Sequence, residues 1–355
     1  MRYVPISCVR EGMILADDLY DDEGHFLLVG GTFLTKTNLQ SINRLMYSGI
    51  YIEDKMSEGI IHENAVNARI RERTLREVRD IFVQTEAGNL DIEETVEAAK
   101  HQVDSIVEEI SGNKDVLINM MDLQAFDDYT YNHSVNVAIL SISLGVALGM
   151  SKPELCKLGF AALLHDIGKV FVPKDILNKP DKLTSEEFEE MKNHSTLGWD
   201  HVKKGIGITD DVLVGILQHH EKYGGGGYPD NLSGESISLF GRIIAAADVY
   251  DALTSQRPYR TAMLPSDAVE YVMASIVTQF DPIVVDTLVK KIAPYPVGTC
   301  VRMSNGMCAI VKENNKEVCL RPKVRVYMEG EQEVEPYEID LADLEHLNIT
   351  ITEIV

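Results

Sequence analysis

The stretch His165-Asp166-Ile167-Gly168-Lys169 constrains this chain more than any other. It extends a helical rhythm in which Leu155, Leu158 and Ala162 recur on one face, so an imidazole and a carboxylate are carried toward an apolar interior. An unpaired charge in such a place is strongly disfavoured, and the fold must therefore bring the pair a partner. A divalent cation suits a His and carboxylate set, and a buried carboxylate can bridge two cations. An internal His-Asp ion pair between helices would answer the same need.

The surrounding chain divides by pattern. Residues 1–56 read as a small α+β module: short strands broken at Asp21-Asp22-Glu23-Gly24 and Gly30-Gly31, a helix near Thr35 to Tyr47 stopped by Gly49, and a strand at Ile50-Tyr51-Ile52. Residues 57–115 are charged and helix-prone, with Ile70, Val78, Ile81, Val96, Val103 and Val107 at helical spacing and a second run seeded by Asp91. That pattern fits a signalling or dimerising connector and equally a helical flank of the domain that follows. Residues 116–294 are helical almost throughout, with loops at 173–182 and 221–238. From residue 295 the period becomes alternating, and strands are predicted at 299–303, 307–312, 317–320 and 323–328, with Asn305-Gly306 as a hairpin turn. The expected fold class is mainly α: an all-α helical core with a small N-terminal α+β module and a small C-terminal β module.

Within the helical region, further ligand types fall at inward positions. His133 shares a face with Val137, Leu140 and Leu144, and His194 follows Met191 near Gly198. His219-His220 ends the helix of Val212, Leu213, Ile216 and Leu217, and Asp248 follows Ile244 and Ala245. Any one of these His could be a hydrogen-bonded core residue. Together, five imidazoles and two carboxylates exceed the needs of one tetrahedral zinc and suit two six-coordinate ions, iron or manganese, bridged by a carboxylate and a solvent oxygen. Lys169, Arg257 and Arg260 read as a phosphate clamp or as surface charge. The loop Gly224-Gly225-Gly226-Gly227-Tyr228-Pro229 lets backbone approach a ligand closely while Tyr228 offers a stacking face.

These residues in this order resemble the HD-GYP family, a branch of the HD-domain metal-dependent phosphohydrolases. The likeness rests on Tyr131-Asn132-His133-Ser134, on His165 to Lys169, on His194, on His219-His220-Glu221 through Gly227-Tyr228-Pro229, and on Asp248 to Arg260. It covers roughly residues 120–294, about half the chain. The resemblance implies one metal held by His133, His165, Asp166 and Asp248, and another by His194, His219 and His220, with Asp166 bridging. It also implies that Lys169, Tyr228, Arg257 and Arg260, with Gly227 and Pro229 of the same loop, hold the substrate, and that Asp166 and Lys169 are catalytic. Members with three metals carry a Glu where this chain has Tyr129, so two metals are expected, with Asp127 and Asp128 displaced from that register. The family's usual Asp after the His-His-Glu run is Gly224 here.

The implied reaction is hydrolysis of cyclic di-GMP to the linear dinucleotide pGpG, to GMP, or to both, by a hydroxide bridging the metals. Other readings are an HD phosphohydrolase of another nucleotide, against which Tyr228 and the Arg257/Arg260 pair weigh, and a non-catalytic cyclic di-GMP receptor, against which the complete ligand set weighs. A net charge of −23 speaks against nucleic-acid polymers and anionic membranes as partners. No apolar run of roughly 18 residues appears and the first residues lack a signal-peptide pattern, so a cytoplasmic protein is expected. The cysteines Cys8, Cys156, Cys300, Cys308 and Cys319 never form a CxxC pair, which argues against a disulfide framework and a thiolate site. A homodimer through the N-terminal or connector region is compatible with the sequence.

Overall fold

The computed structural model describes residues 1–20, 26–44, 49–62, 64–88, 92–113, 116–119, 129–179, 181–255 and 262–355. The chain forms two compact units, one from Met1–Asn64, Leu117–Asp128 and Ile292–Val355, the other from Ala65–Val116 and Tyr129–Lys291.

In the first unit, β1 (Arg2–Pro5) and β2 (Ile14–Leu15) flank β5 (Gly49–Glu53) in an antiparallel sheet, and β3 (Leu19–Tyr20) pairs with β4 (Phe26–Leu28). Helix α1 (Lys36–Arg44) contributes Ile42 to a core shared with Val4, Leu15, Leu34, Ile50 and Ile52. The C-terminal strands β6 (Cys300–Met303), β7 (Met307–Glu313), β8 (Lys323–Glu329), β9 (Gln332–Asp340) and β10 (Ile351–Ile354) form an antiparallel sheet ordered β10-β6-β7-β8-β9. Asn305-Gly306 makes the predicted β6–β7 turn, with Gly306 at φ +86°. The predicted strand at 317–320 is instead a bend and turn, because the Asn315 side chain accepts from the amides of Glu317 and Val318 and curls the chain locally. Strand β9 went unpredicted: it is charged and holds Pro336, both tolerated because it lies at the sheet edge.

The second unit is wholly helical among its described elements. Residues 57–115 supply α2 (Ala68–Ala87) and α3 (Ile92–Gly112), which pack on one another and on α4 (Tyr129–Ala147); α3 also packs on α5 (Lys152–Leu163). The unit continues through α6 (Lys174–Leu177), α7 (Ser185–Lys192), α8 (His194–Val202), α9 (Asp210–Gln218), α10 (Leu239–Thr254), α11 (Pro265–Ala274) and α12 (Pro282–Lys291). Helix α4 is buried on every side from Asn132 to Gly145, which is why its sequence lacks a polar stripe. It is sandwiched between α5 and α10, and α9 packs against both of those and against α8. Among the described residues no helix is long and apolar enough to cross a membrane.

Candidate metal centre

Helix α5 starts at a capping box, in which the Glu154 carboxylate accepts from the Ser151 amide at 2.8 Å, and it stops at Leu163. His165 and Asp166 follow in the tightening turn that leads into a 3-10 segment, Ile167–Phe171. That segment lies hard against the start of α8. A Cβ on Gly168 would stand 1.8 Å from the His194 carbonyl oxygen, so only glycine permits the approach. The contact sets Asp166 beside His194. The sequence pointed to Gly198 for close packing, but a Cβ there would meet its nearest atom at 3.2 Å, so the tighter of the two is Gly168.

The remaining groups arrive from α4 (His133), the end of α9 (His219 and His220) and the middle of α10 (Asp248). Their ligand atoms fall into two sets, Asp166 with His194, His219 and His220, and His133 with His165 and Asp248. Asp166 lies between the sets. Its Oδ1 is 3.4 Å from His194 Nε2 and 4.0 Å from His219 Nε2, while its Oδ2 is 3.4 Å from His165 Nε2 and 3.8 Å from His133 Nε2. Asp248 reaches His133 Nε2 with Oδ1 at 3.0 Å and faces His220 Nδ1 with Oδ2 at 3.9 Å.

Hydrogen bonds behind the rings decide which nitrogens are bare. Nδ1 of His165, His194 and His219 each faces the backbone carbonyl three residues earlier, of Ala162, Met191 and Ile216, at 2.7, 2.7 and 2.6 Å. A carbonyl only accepts, so Nδ1 carries the proton and donates it. Burial lowers the pKa of His194, and lowers that of His219 further with help from the neighbouring His220, so both rings are neutral and both Nε2 atoms are acceptors. Yet these two Nε2 atoms face each other at 3.3 Å. Nearby, buried His165 Nε2 and Asp166 Oδ1 have no hydrogen-bond donor. Lone pairs converging in a buried space repel unless a cation lies among them.

The electrostatics of the acids agree with that reading. Burial would raise Asp166, but the Lys169 ammonium and then His165 hold it well below the usual carboxylate range. Burial opposes ionisation of Asp248 too, and the hydrogen bond from His133 outweighs it. Both carboxylates are ionised. An octahedral ion with ligands at about 2.1 Å has adjacent ligand atoms about 3 Å apart and opposite ones about 4.2 Å apart. The separations of 3.0 to 4.0 Å between nitrogen and carboxylate oxygen given above lie in that range. The donor set of imidazole and carboxylate fits a divalent ion of the zinc, iron or manganese kind.

The other sequence-predicted residues sort differently. Lys169 donates to Asp166 Oδ2 at 2.5 Å and is partly exposed. Tyr228 lies against His220, ring centroids 4.7 Å apart, and burial raises its hydroxyl pKa above the ordinary phenol value, which keeps it a donor. Pro229 is exposed beside it. Gly227 packs on the chain itself: a Cβ would lie 2.5 Å from Glu221 Cα, so the fold alone requires glycine there. Gly224 is likewise pressed on the backbone of Val277 and Thr278, where an added Cβ would lie 2.8 Å from the Thr278 carbonyl oxygen. Arg257 and Arg260 lie outside the described residues, as do Asp91, Asp127, Asp128 and the side chain of Tyr129.

Two residues that support the site, Asp251 and Glu221, were given no role of their own in the sequence reading. Asp251, fully buried, accepts from His133 Nδ1 at 2.7 Å and from Asn136 Nδ2 at 2.8 Å. Its spacing of one helical turn after Asp248 was the available signal. Buried Glu221 accepts from the amides of Asp230 and Leu232 at 2.7 and 3.0 Å, which pins the loop that carries Tyr228.

A helical domain with a buried set of imidazoles around a shared aspartate defines the class, and comparison with known proteins gives the family. Residues 115–284 match the family model described as HD domain. The chain is 38% identical over 246 residues to the cyclic di-GMP phosphodiesterase PA4108 of Pseudomonas aeruginosa, covering 69% of this chain and 59% of that protein. It is 43% identical over 145 residues to the cyclic di-GMP phosphodiesterase response regulator RpfG of Xanthomonas campestris, covering 40% of this chain and 38% of that one. The fold matches the solved structure of Bd1817, an HDG"Y"P protein from Bdellovibrio bacteriovorus, with a TM-score of 0.51 at 20% identity over 81% of this chain and 97% of that chain. The chain belongs to the HD-domain family. It spans 59% or less of the length of these two curated relatives.

Proposed function

We propose that this chain is a metal-dependent phosphodiesterase that hydrolyses cyclic di-GMP to pGpG, GMP or both, and that residues 116–294 carry the activity in the cytoplasm. The observation that carries the proposal is the meeting of unprotonated Nε2 atoms of His194 and His219 at 3.3 Å over Asp166 Oδ1, a cluster of acceptors without donors.

His133, His165, Asp166 and Asp248 would hold one ion, and His194, His219, His220 and Asp166 the other, iron or manganese in each case. Bound ions would supply Lewis acidity and a water whose pKa is lowered toward neutrality. The protein's own groups supply the rest. Asp166, ionised and central, orients both halves. Lys169 sits on Asp166 Oδ2 at a partly exposed position, where its ammonium can meet a phosphate oxygen and stabilise charge that grows there. Tyr228 offers a ring for a guanine and a hydroxyl that stays protonated. Arg257 and Arg260 are assigned to the substrate's phosphates from the sequence.

The experiment is metal analysis of anaerobically purified protein with a chromatographic time course of cyclic di-GMP breakdown, run beside cyclic di-AMP and cyclic GMP-AMP. We expect bound iron or manganese and fastest loss of cyclic di-GMP. Metal-loaded protein that binds cyclic di-GMP without cleaving it would make the chain a receptor, and faster turnover of another cyclic dinucleotide would reassign the substrate.

A further inference from the structure

The two half-sites are backed by unlike groups. His165, His194 and His219 donate Nδ1–H to neutral backbone carbonyls. His133 alone among these donates to a carboxylate, Asp251 Oδ2, at 2.7 Å. The other oxygen of Asp251 accepts from Asn136 Nδ2 at 2.8 Å, one turn along α4 from Asn132 and His133, so the carboxylate is held from two directions. Asp251 is fully buried and touches no solvent that could screen it.

The charge count follows the same division. The half made by His133, His165 and Asp248 has a carboxylate of its own and the Asp251 carboxylate directly behind one ring. The half made by His194, His219 and His220 counts one carboxylate in its set, Asp166, which it shares. Lys169 neutralises part of Asp166 from the Oδ2 side, so the difference between the halves rests on Asp248 and Asp251. His220 is also the more open ligand, its side chain 26% exposed against 3% for His133.

A carboxylate behind a ligand imidazole fixes its tautomer and raises its basicity, and removing such a partner typically costs about 10- to 100-fold in metal affinity. We propose that Asp251 is a positioning residue that makes the two half-sites unequal. The half containing His133, His165 and Asp248 fills first and retains its ion, and the half containing His194, His219 and His220 takes an exchangeable one. The inference rests on the metal reading of the preceding section.

Calorimetric titration of the metal-stripped full chain with Mn²⁺ tests it without any assay of turnover. Wild type is expected to bind in two steps, the first at least about 10-fold tighter. Asp251→Asn, with its fold checked by circular dichroism, is expected to weaken the first step by about 10- to 100-fold and leave the second in place. His220→Ala is expected to remove the weaker step alone. Asn136→Ala, which keeps every ligand and Asp251 itself, weakens the tight step by less, and it serves if Asp251→Asn does not fold. Two ions bound with equal affinity, or an Asp251→Asn effect spread evenly over both steps, would overturn the inference while leaving the metal centre standing. A wild-type chain that binds no ion overturns the metal reading itself.

Discussion

The unit built from residues 1–64, 117–128 and 292–355 and the helical unit bury different kinds of interior. In the first, clusters such as Leu15, Ile42, Ile50 and Ile52, or Val301, Val311, Val324 and Val326, are aliphatic, and the sheet hydrogen bonds satisfy the backbone around them. In the helical unit, His133, His165, Asp166, His194, His219, Asp248 and Asp251 are all buried. Aliphatic packing stabilises a fold unaided, whereas buried acceptors facing one another destabilise it until something positive joins them. The contrast teaches that the helical unit holds its candidate site at some expense to its own stability.

The largest expected effect lies at the centre of the polar interior. Asp166→Ala should reduce metal affinity and turnover by at least about 10²-fold, since its carboxylate lies between both sets of candidate ligand atoms. Metal binding unchanged in the variant would break the comparison. On the aliphatic side, Ile52→Ala should cost about 2–5 kcal/mol in chemical denaturation while metal stoichiometry is unchanged, because a cavity there touches no ligand. Gly168→Ala should cost about 1–3 kcal/mol and loosen metal binding too, as the added Cβ forces α8 and its His194 away. An effect on stability without one on metal would show that α8 gives way elsewhere.

Acid sensitivity sharpens the contrast further. His194, His219 and His220 are lowered by burial, His220 to about 3, whereas in the unfolded chain they titrate near 6.5. As pH falls through that window the unfolded chain binds more protons, so metal-free protein should lose stability steadily below 6.5. His133 acts in the opposite sense: burial lowers it, but hydrogen bonds to Asp248 and Asp251 raise it to about 9. Its contribution is complete below 6.5 and is lost as pH rises through about 9. Thermal melts of chelated protein across pH should therefore peak near neutrality, and a flat profile would remove the argument. Smallest of all, Lys312→Ala breaks a half-exposed pair with Glu338 and should cost less than about 1 kcal/mol in the same melts.

Part of the buried polar set was legible because helical spacing pointed His133, His165, Asp166, His219 and Asp248 inward. Their burial owes as much to tertiary packing as to periodicity, since α4 is buried all round His133, and His165, Asp166 and His219 lie past the ends of α5 and α9. The hairpin at Asn305-Gly306 was legible for a local reason, since the positive φ its turn needs falls on Gly306. Strand β9 and the bend at 317–320 were not, because edge position and an Asn315 side-chain bond override local pattern.

The sequence by itself determined that imidazoles and carboxylates enter a helical interior, and roughly where along the chain they do so. Only the tertiary structure decided how they are shared out: Asp166 between two sets, Asp251 behind His133, backbone carbonyls behind the other three rings. Spacing along a helix specifies a direction for each side chain, but distances between helices depend on close contacts such as Gly168 against the His194 carbonyl. Those contacts join residues far apart in the chain, and no local rhythm encodes them.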